Sequence, residues 1–154
     1  MSIEPGSYHL RASPADGVGG MYATSKGYEK PIVTAAQVQS EIDEQKWRVI
    51  QLDGSAGLYE IRLDTIIAPV MIQGWGTKGR VQPDEIILLS GEPMKVRITP
   101  SHTGGEGCFV ISPDADWVGT RLVIGTEGNH LVIQDFPIDP TDDEKLPYWK
   151  FYKA

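Results

Sequence analysis

The chain has 154 residues, 40% of them hydrophobic, and a formal net charge of −7. That is the length of one domain with a core large enough to stand without staples. The scattered Lys and Arg form no basic stripe, which excludes a nucleic-acid partner, and the single cysteine, Cys108, excludes an internal disulfide.

The N-terminal "MSIEPGSYHL" shows no basic region followed by an apolar run. Apolar stretches elsewhere are too short to cross a bilayer, so the expectation is a cytoplasmic protein with no membrane partner. The first strand signal is "GSYHL" from Gly6. It is followed by "DGVGG", Asp16–Gly20, with glycines at 17, 19 and 20. This spacing fits neither a dinucleotide fingerprint nor a P-loop, so a phosphate site is rejected. A tight turn and a backbone built for close approach both remain. "GMYAT" and "PIVTA" read as strands. "AAQVQSEIDEQ", Ala35–Gln45, is only weakly apolar and reads as a loop with at most one helical turn. Next come "WRV" at Trp47–Val49, "GLYEI" from Gly57, then "PVMIQ", "EIILL" and "VRI" at Val96–Ile98. "GCFVI" from Gly107, "TRLVIG", "HLVIQ" and "WKF" at Trp149–Phe151 complete the set.

The starts at Gly6, Gly57 and Gly107 are 51 and 50 residues apart, and each begins Gly, any residue, aromatic, any residue, aliphatic. Aromatic and aliphatic two apart share one face of a strand. "WRV", "VRI" and "WKF" recur later in each unit as apolar, basic, apolar. Three units of about fifty residues with four short strands each predict an all-β, twelve-stranded β-trefoil. The repeats run over 6–51, 57–101 and 107–154 of a single domain over 1–154.

No catalytic cluster stands out. His9, His102 and His130 lie in different units without metal-ligand spacing, and His9 and His130 are expected to point outward from strands. Cys108, within "GCFVIS", reads as a buried structural thiol. The carboxylates of "PDADW" and "DPTDDEK" read as solvated loops and fit no calcium frame. The expectation is no metal, no cofactor and no enzyme, leaving a carbohydrate lectin or a protease inhibitor. The lectin reading rests on "QKW", Gln45–Trp47, a Q-x-W motif that the other two units lack; a core role for Trp47 is the simpler account.

"GSYHLRA", "DGVGGMYAT", "SGEP", "VIGTEGNHLVIQDFPI" and "WKF" occur in an order that resembles the mycocypins, mushroom cysteine-protease inhibitors. The resemblance implies a β-trefoil and reversible, non-covalent blocking of papain-like cysteine proteases. Two loops, between the first and second and between the third and fourth strands, would straddle the protease cleft. The first matches Asp16, Gly17, Val18, Gly19 and Gly20, with Gly19 approaching the catalytic thiol and Val18 as an apolar anchor. The second lies within Ala36–Glu44 and is represented by Gln39, Ser40 and Glu41. A separate family site for legumain uses an Asn between the fifth and sixth strands. Asp64 of "RLDT" stands there instead, and an ionised carboxylate only accepts hydrogen bonds. Lys26 in "SKGYEK", with Lys78 and Arg80 in "GWGTKGR", supports an alternative trypsin-type target. A weak homodimer stays open.

Overall fold

In the computed structural model, which describes residues 3–13, 21–37, 39–52, 57–64, 72–115, 117–138 and 146–154, a glycine of positive φ precedes or opens the first strand of each third. Gly57 and Gly107 sit at φ +80° and Gly6 at +154°. The first two occupy a region that side chains disfavour, which explains why the repeat begins with glycine. The aliphatic residue of each repeat, Leu10, Ile61 or Ile111, is completely buried.

The strands are β1 (Gly6–Ala12), β2 (Tyr22–Thr24), β3 (Val33–Ala35), β4 (Trp47–Gln51), β5 (Leu58–Leu63) and β6 (Gly74–Gly76). The second half contributes β7 (Leu88–Ser90), β8 (Val96–Pro100), β9 (Cys108–Pro113), β10 (Thr120–Glu127), β11 (His130–Pro137) and β12 (Trp149–Lys153). Antiparallel pairing runs β1–β4–β5–β8–β9–β12 and returns to β1, closing a six-stranded barrel. The hairpins β2–β3, β6–β7 and β10–β11 cover one end. This is the β-trefoil expected from the repeat.

The three hairpin layers meet in a ring. Ile32 N–H donates to Ile87 O at 3.0 Å, Ile87 N–H to Leu131 O at 3.0 Å, and Leu131 N–H to Ile32 O at 3.1 Å. All three side chains are completely buried. Each repeat therefore satisfies the backbone of the next inside the core, where an unpaired amide would be costly.

Three indoles fill the barrel beneath. Trp47 and Trp149 open β4 and β12, and Trp75 stands edge-on to both at centroid distances of 5.9 and 5.5 Å. Trp47 Nε1 donates to Ala23 O at 2.9 Å and Trp149 Nε1 to Ile124 O at 3.0 Å. The middle repeat reverses the arrangement: the smaller Val96 opens β8, and the large side chain comes from the hairpin strand β6. Trp75 Nε1 is buried with no partner among the described residues.

Two elements differ from the sequence reading. "PVMIQ" is not the sixth strand: Pro69, Val70 and Met71 lie outside the described residues, Ile72 and Gln73 precede the strand, and the strand is Gly74-Trp75-Gly76. Glycines on both sides of a tryptophan read as a loop, yet here they permit contact. A Cβ on Gly74 would collide with Ile61 O, and one on Gly76 would lie 2.7 Å from Ser90 Cβ. Within Ala35–Gln45, residues Gln39–Gln45 form a 3-10 helix interrupted at Glu41, which is more helix than the single turn expected. Its buried Gln45, rather than an apolar stripe, secures it.

The indole partners generate a prediction. Trp47→Phe and Trp75→Phe remove similar volume, but only the first strands a buried carbonyl. Trp47→Phe is expected to be the more destabilising by about 1–2 kcal/mol in urea unfolding; equal losses would contradict the assigned hydrogen bond.

Candidate functional site

The site begins with strand register. Arg11 of β1 pairs with Tyr22 of β2, and Tyr22 pairs with Ala35 of β3. One row across three strands thus marks the exit of β1, the entry of β2 and the exit of β3. The β1–β2 and β3–β4 connections leave this row as neighbours. Asp16, Gly17, Val18, Gly19 and Gly20 lie outside the described residues.

The base of the first connection is tied on two sides. Ala12 N–H donates to Met21 O at 2.9 Å, which closes the hairpin. Ser13 N–H donates to Tyr148 O at 2.9 Å, and Tyr148 N–H donates to Ser13 Oγ at 3.3 Å. Beside this base, Arg11 Nη1 donates to Tyr152 Oη at 3.5 Å, and Lys150 Nζ lies 5.3 Å from the Tyr152 ring centroid. The hydrogen bond from Arg11 holds the Tyr152 phenol below its ordinary pKa. Sequence reasoning passed over Ser13 and Tyr148, because neither belongs to a recognisable motif.

The second connection carries the 3-10 helix. Gln39 and Ser40 are exposed and Glu41 is half-buried. Gln45 Nε2 donates to Thr24 Oγ1 and Ala36 O, both at 3.0 Å, and Ser25 N–H donates to Glu44 O at 2.8 Å. His9 Nδ1 lies 2.8 Å from Gln45 O. His9 is therefore half-buried and engaged with this helix, not turned outward as expected, whereas His130 is exposed. The Q-x-W motif is scaffold: Gln45 and Trp47 are both completely buried, so neither can stack on a sugar.

The remaining candidates fall in different surroundings. Lys26 Nζ lies 3.7 Å from Glu41 Oε1, so the structure brings together a trypsin-type candidate and a residue of the second connection. Lys78 and Arg80 are exposed between β6 and β7. Asp64, just beyond β5, is not offered to solvent. Its side chain is 15% exposed, with Lys46 Nζ at 3.9 Å and Arg48 Nε at 3.7 Å. Ser7 Oγ donates to its Oδ2. Residues 65–71 beyond it lie outside the described set. Cys108 is a buried free thiol, and burial pushes its pKa up, with Lys150 opposing. Among the described residues no group of three or more His, Cys, Asp or Glu is placed to hold a metal ion. No described helix is long and apolar enough to cross a membrane.

These placements carry two expectations. Asp64→Ala should lower stability by about 1–3 kcal/mol, because the hydrogen bond from Ser7 and the contacts with Lys46 and Arg48 are lost together. Lys26→Ala should cost less than about 1 kcal/mol, since its partner is a half-exposed surface carboxylate; comparison of thermal unfolding midpoints decides. Native Cys108 should react with iodoacetamide at least about tenfold more slowly than the unfolded chain at neutral pH, as a neutral, buried thiol does.

A family model described as peptidase inhibitor clitocypin matches residues 6–151. Clitocypin-4/-3 and clitocypin-5 of Clitocybe nebularis are each 29% identical over 156 aligned residues, covering 97% of this chain and 97% of the relative. Clitocypin of the same organism is 25% identical over 155 residues, with the same coverage. Among solved structures, the designed 3-fold symmetric protein ThreeFoil superposes with a TM-score of 0.64 at 10% identity, covering 96% of this chain and 99% of its own. The Rhizoctonia solani agglutinin gives a TM-score of 0.64 at 17% identity, covering 100% and 99%. At such identities these two likenesses speak to the fold alone.

Proposed function

The chain belongs to the peptidase inhibitor clitocypin family, and from that premise we propose that it blocks papain-like cysteine proteases reversibly, by seating two adjacent connections in the protease cleft. It is an inhibitor-family protein and not an enzyme. The observation that supports the reading best is the Arg11–Tyr22–Ala35 row, from which both connections leave side by side. The β1–β2 connection supplies Gly17, Gly19 and Gly20. A glycine at the cleft floor has no Cβ to meet the walls, and its backbone reaches closer to a catalytic thiolate than any other residue allows. The exposed Gln39 and Ser40 extend the contact on the second connection. An interface of ~800 Å² per partner is enough for tight binding when the loops are held in place beforehand. The ties from Ser13 to Tyr148 and from Gln45 to Thr24 and Ala36 fix the described bases of the two connections.

Asp64 argues against legumain as a second target. Its carboxylate is occupied by Ser7, Lys46 and Arg48, and insertion into a pocket would break those contacts. A trypsin-type reading rests better on the exposed Lys78 and Arg80 than on Lys26, which already faces Glu41.

The test is a panel of papain, legumain and trypsin with the purified protein. Papain is expected to be inhibited and legumain untouched at neutral pH. Gly19→Trp should weaken papain binding at least about tenfold, or 1.4 kcal/mol, with an unchanged thermal midpoint. Full inhibition by that variant would remove the β1–β2 connection from the site. Trypsin inhibition lost on Lys78→Ala would establish the second target instead.

A further inference from the structure

Beside the first connection, a single register row runs along the barrel wall. Tyr22 of β2 pairs with Arg11 of β1, Arg11 with Lys150 of β12, and Lys150 with Cys108 of β9. Leu10 and Phe151, one position along, are buried in the core, so Arg11 and Lys150 point away from it. Arg11 is half-buried and Lys150 is exposed. Tyr152, two residues beyond Lys150, shares their face. Its hydroxyl accepts from Arg11 Nη1 at 3.5 Å, and its ring lies 6.3 Å from that of Tyr22. A recess of about 200 Å³ lies here, lined by Arg11, Lys150, Ser13 and Tyr148 among others. Because Ser13 and Tyr148 tie down the base of the first connection, the recess is continuous with it.

Charge sets this wall apart. In a chain of net charge −7, Lys26, Lys46, Arg48, Arg62, Arg97 and Lys153 each lie within ion-pair distance of a carboxylate, whereas Arg11 and Lys150 have no carboxylate partner among the described residues. Like charges directly opposite across a strand pair cost stability. Two neighbours report the positive field: the hydrogen bond from Arg11, with Lys150 adding to it, holds the Tyr152 phenol below its ordinary pKa, and Lys150 opposes the rise that burial imposes on Cys108. We propose, resting on the inhibitory reading above, that the protease contact extends from the two connections onto this wall, where the recess receives an acidic side chain from the rim of the protease cleft between Arg11 and Lys150. A carboxylate accepts from a guanidinium and an ammonium at once, and its charge relieves the repulsion between the opposed cations. Arg11 Nε is buried, so the contact falls to the terminal guanidinium nitrogens and to Lys150 Nζ. Tyr22 and Tyr152 add amphipathic surface beside it; Tyr and Arg are the residue types that most often anchor protein interfaces.

The test uses the full chain and two papain-like proteases, papain and cathepsin L, with association and dissociation rates read by surface plasmon resonance at about 50 and about 300 mM salt. The double variant Arg11→Gln/Lys150→Gln should bind several-fold more weakly than the wild type to one or both proteases, and the charge reversal Arg11→Glu/Lys150→Glu at least about tenfold more weakly. Both losses should shrink at the higher salt. The thermal midpoint of the Gln variant should hold or rise, since a like-charged pair is removed, so weaker binding cannot be ascribed to misfolding. Wild-type protein that binds neither protease overturns the inhibitory reading and this contact with it. Wild-type binding that the charge reversal leaves unchanged or strengthens with both proteases overturns this contact alone.

Discussion

The ring of amides joining Ile32, Ile87 and Leu131 is the constraint on which the rest of the molecule depends. Each of the three residues gives its N–H to one repeat and its carbonyl to the other, so no repeat can complete its backbone bonding alone. Because the ring lies among completely buried side chains, water cannot substitute for a missing member. The hairpins are thereby fixed around one centre, and the barrel strands that continue from them inherit that arrangement. The row Arg11–Tyr22–Ala35 is a downstream result: β2 and β3 are oriented by the ring, and β1 is held in the barrel by β4 and β12.

Threefold symmetry of the backbone coexists with asymmetry of the filling. Trp47 and Trp149 enter from the barrel, and Trp75 enters from the hairpin layer opposite the smaller Val96. The position of the large side chain changes between repeats, an exchange that close-packed cores tolerate when overall volume is kept. The exchange explains why glycines flank Trp75: strand β6 must come close to Ile61 and Ser90 to place the indole.

Much of this fold was legible because its rules are local and repeated. A glycine at fixed spacing reported a positive φ, and an aliphatic residue two positions after an aromatic reported the core face. Strand β6 was hidden because its extension is imposed by neighbours rather than by propensity; Gly-Trp-Gly carries no alternation to read. The helix at Gln39–Gln45 was underestimated for a similar reason, since it is held by the polar bonds of Gln45 and not by an apolar stripe. The candidate contacts were visible only through likeness to a family. What the residues alone could not convey was pairing: that Lys26 faces Glu41, that Asp64 is held by Ser7, Lys46 and Arg48, and that Ser13 meets Tyr148 from the far end of the chain.

Barrel closure has one more consequence. Every barrel strand pairs with a neighbour on both sides over part of its length, so many of its amides and carbonyls are engaged. A protease cleaves a segment that it can draw out as an isolated extended strand, bonding to the very groups that a sheet conceals. To obtain such a segment from this barrel, an enzyme would have to peel a strand from two partners at once. Barrel closure thus makes each strand a poor protease substrate, because its extraction would break pairing on two edges at once.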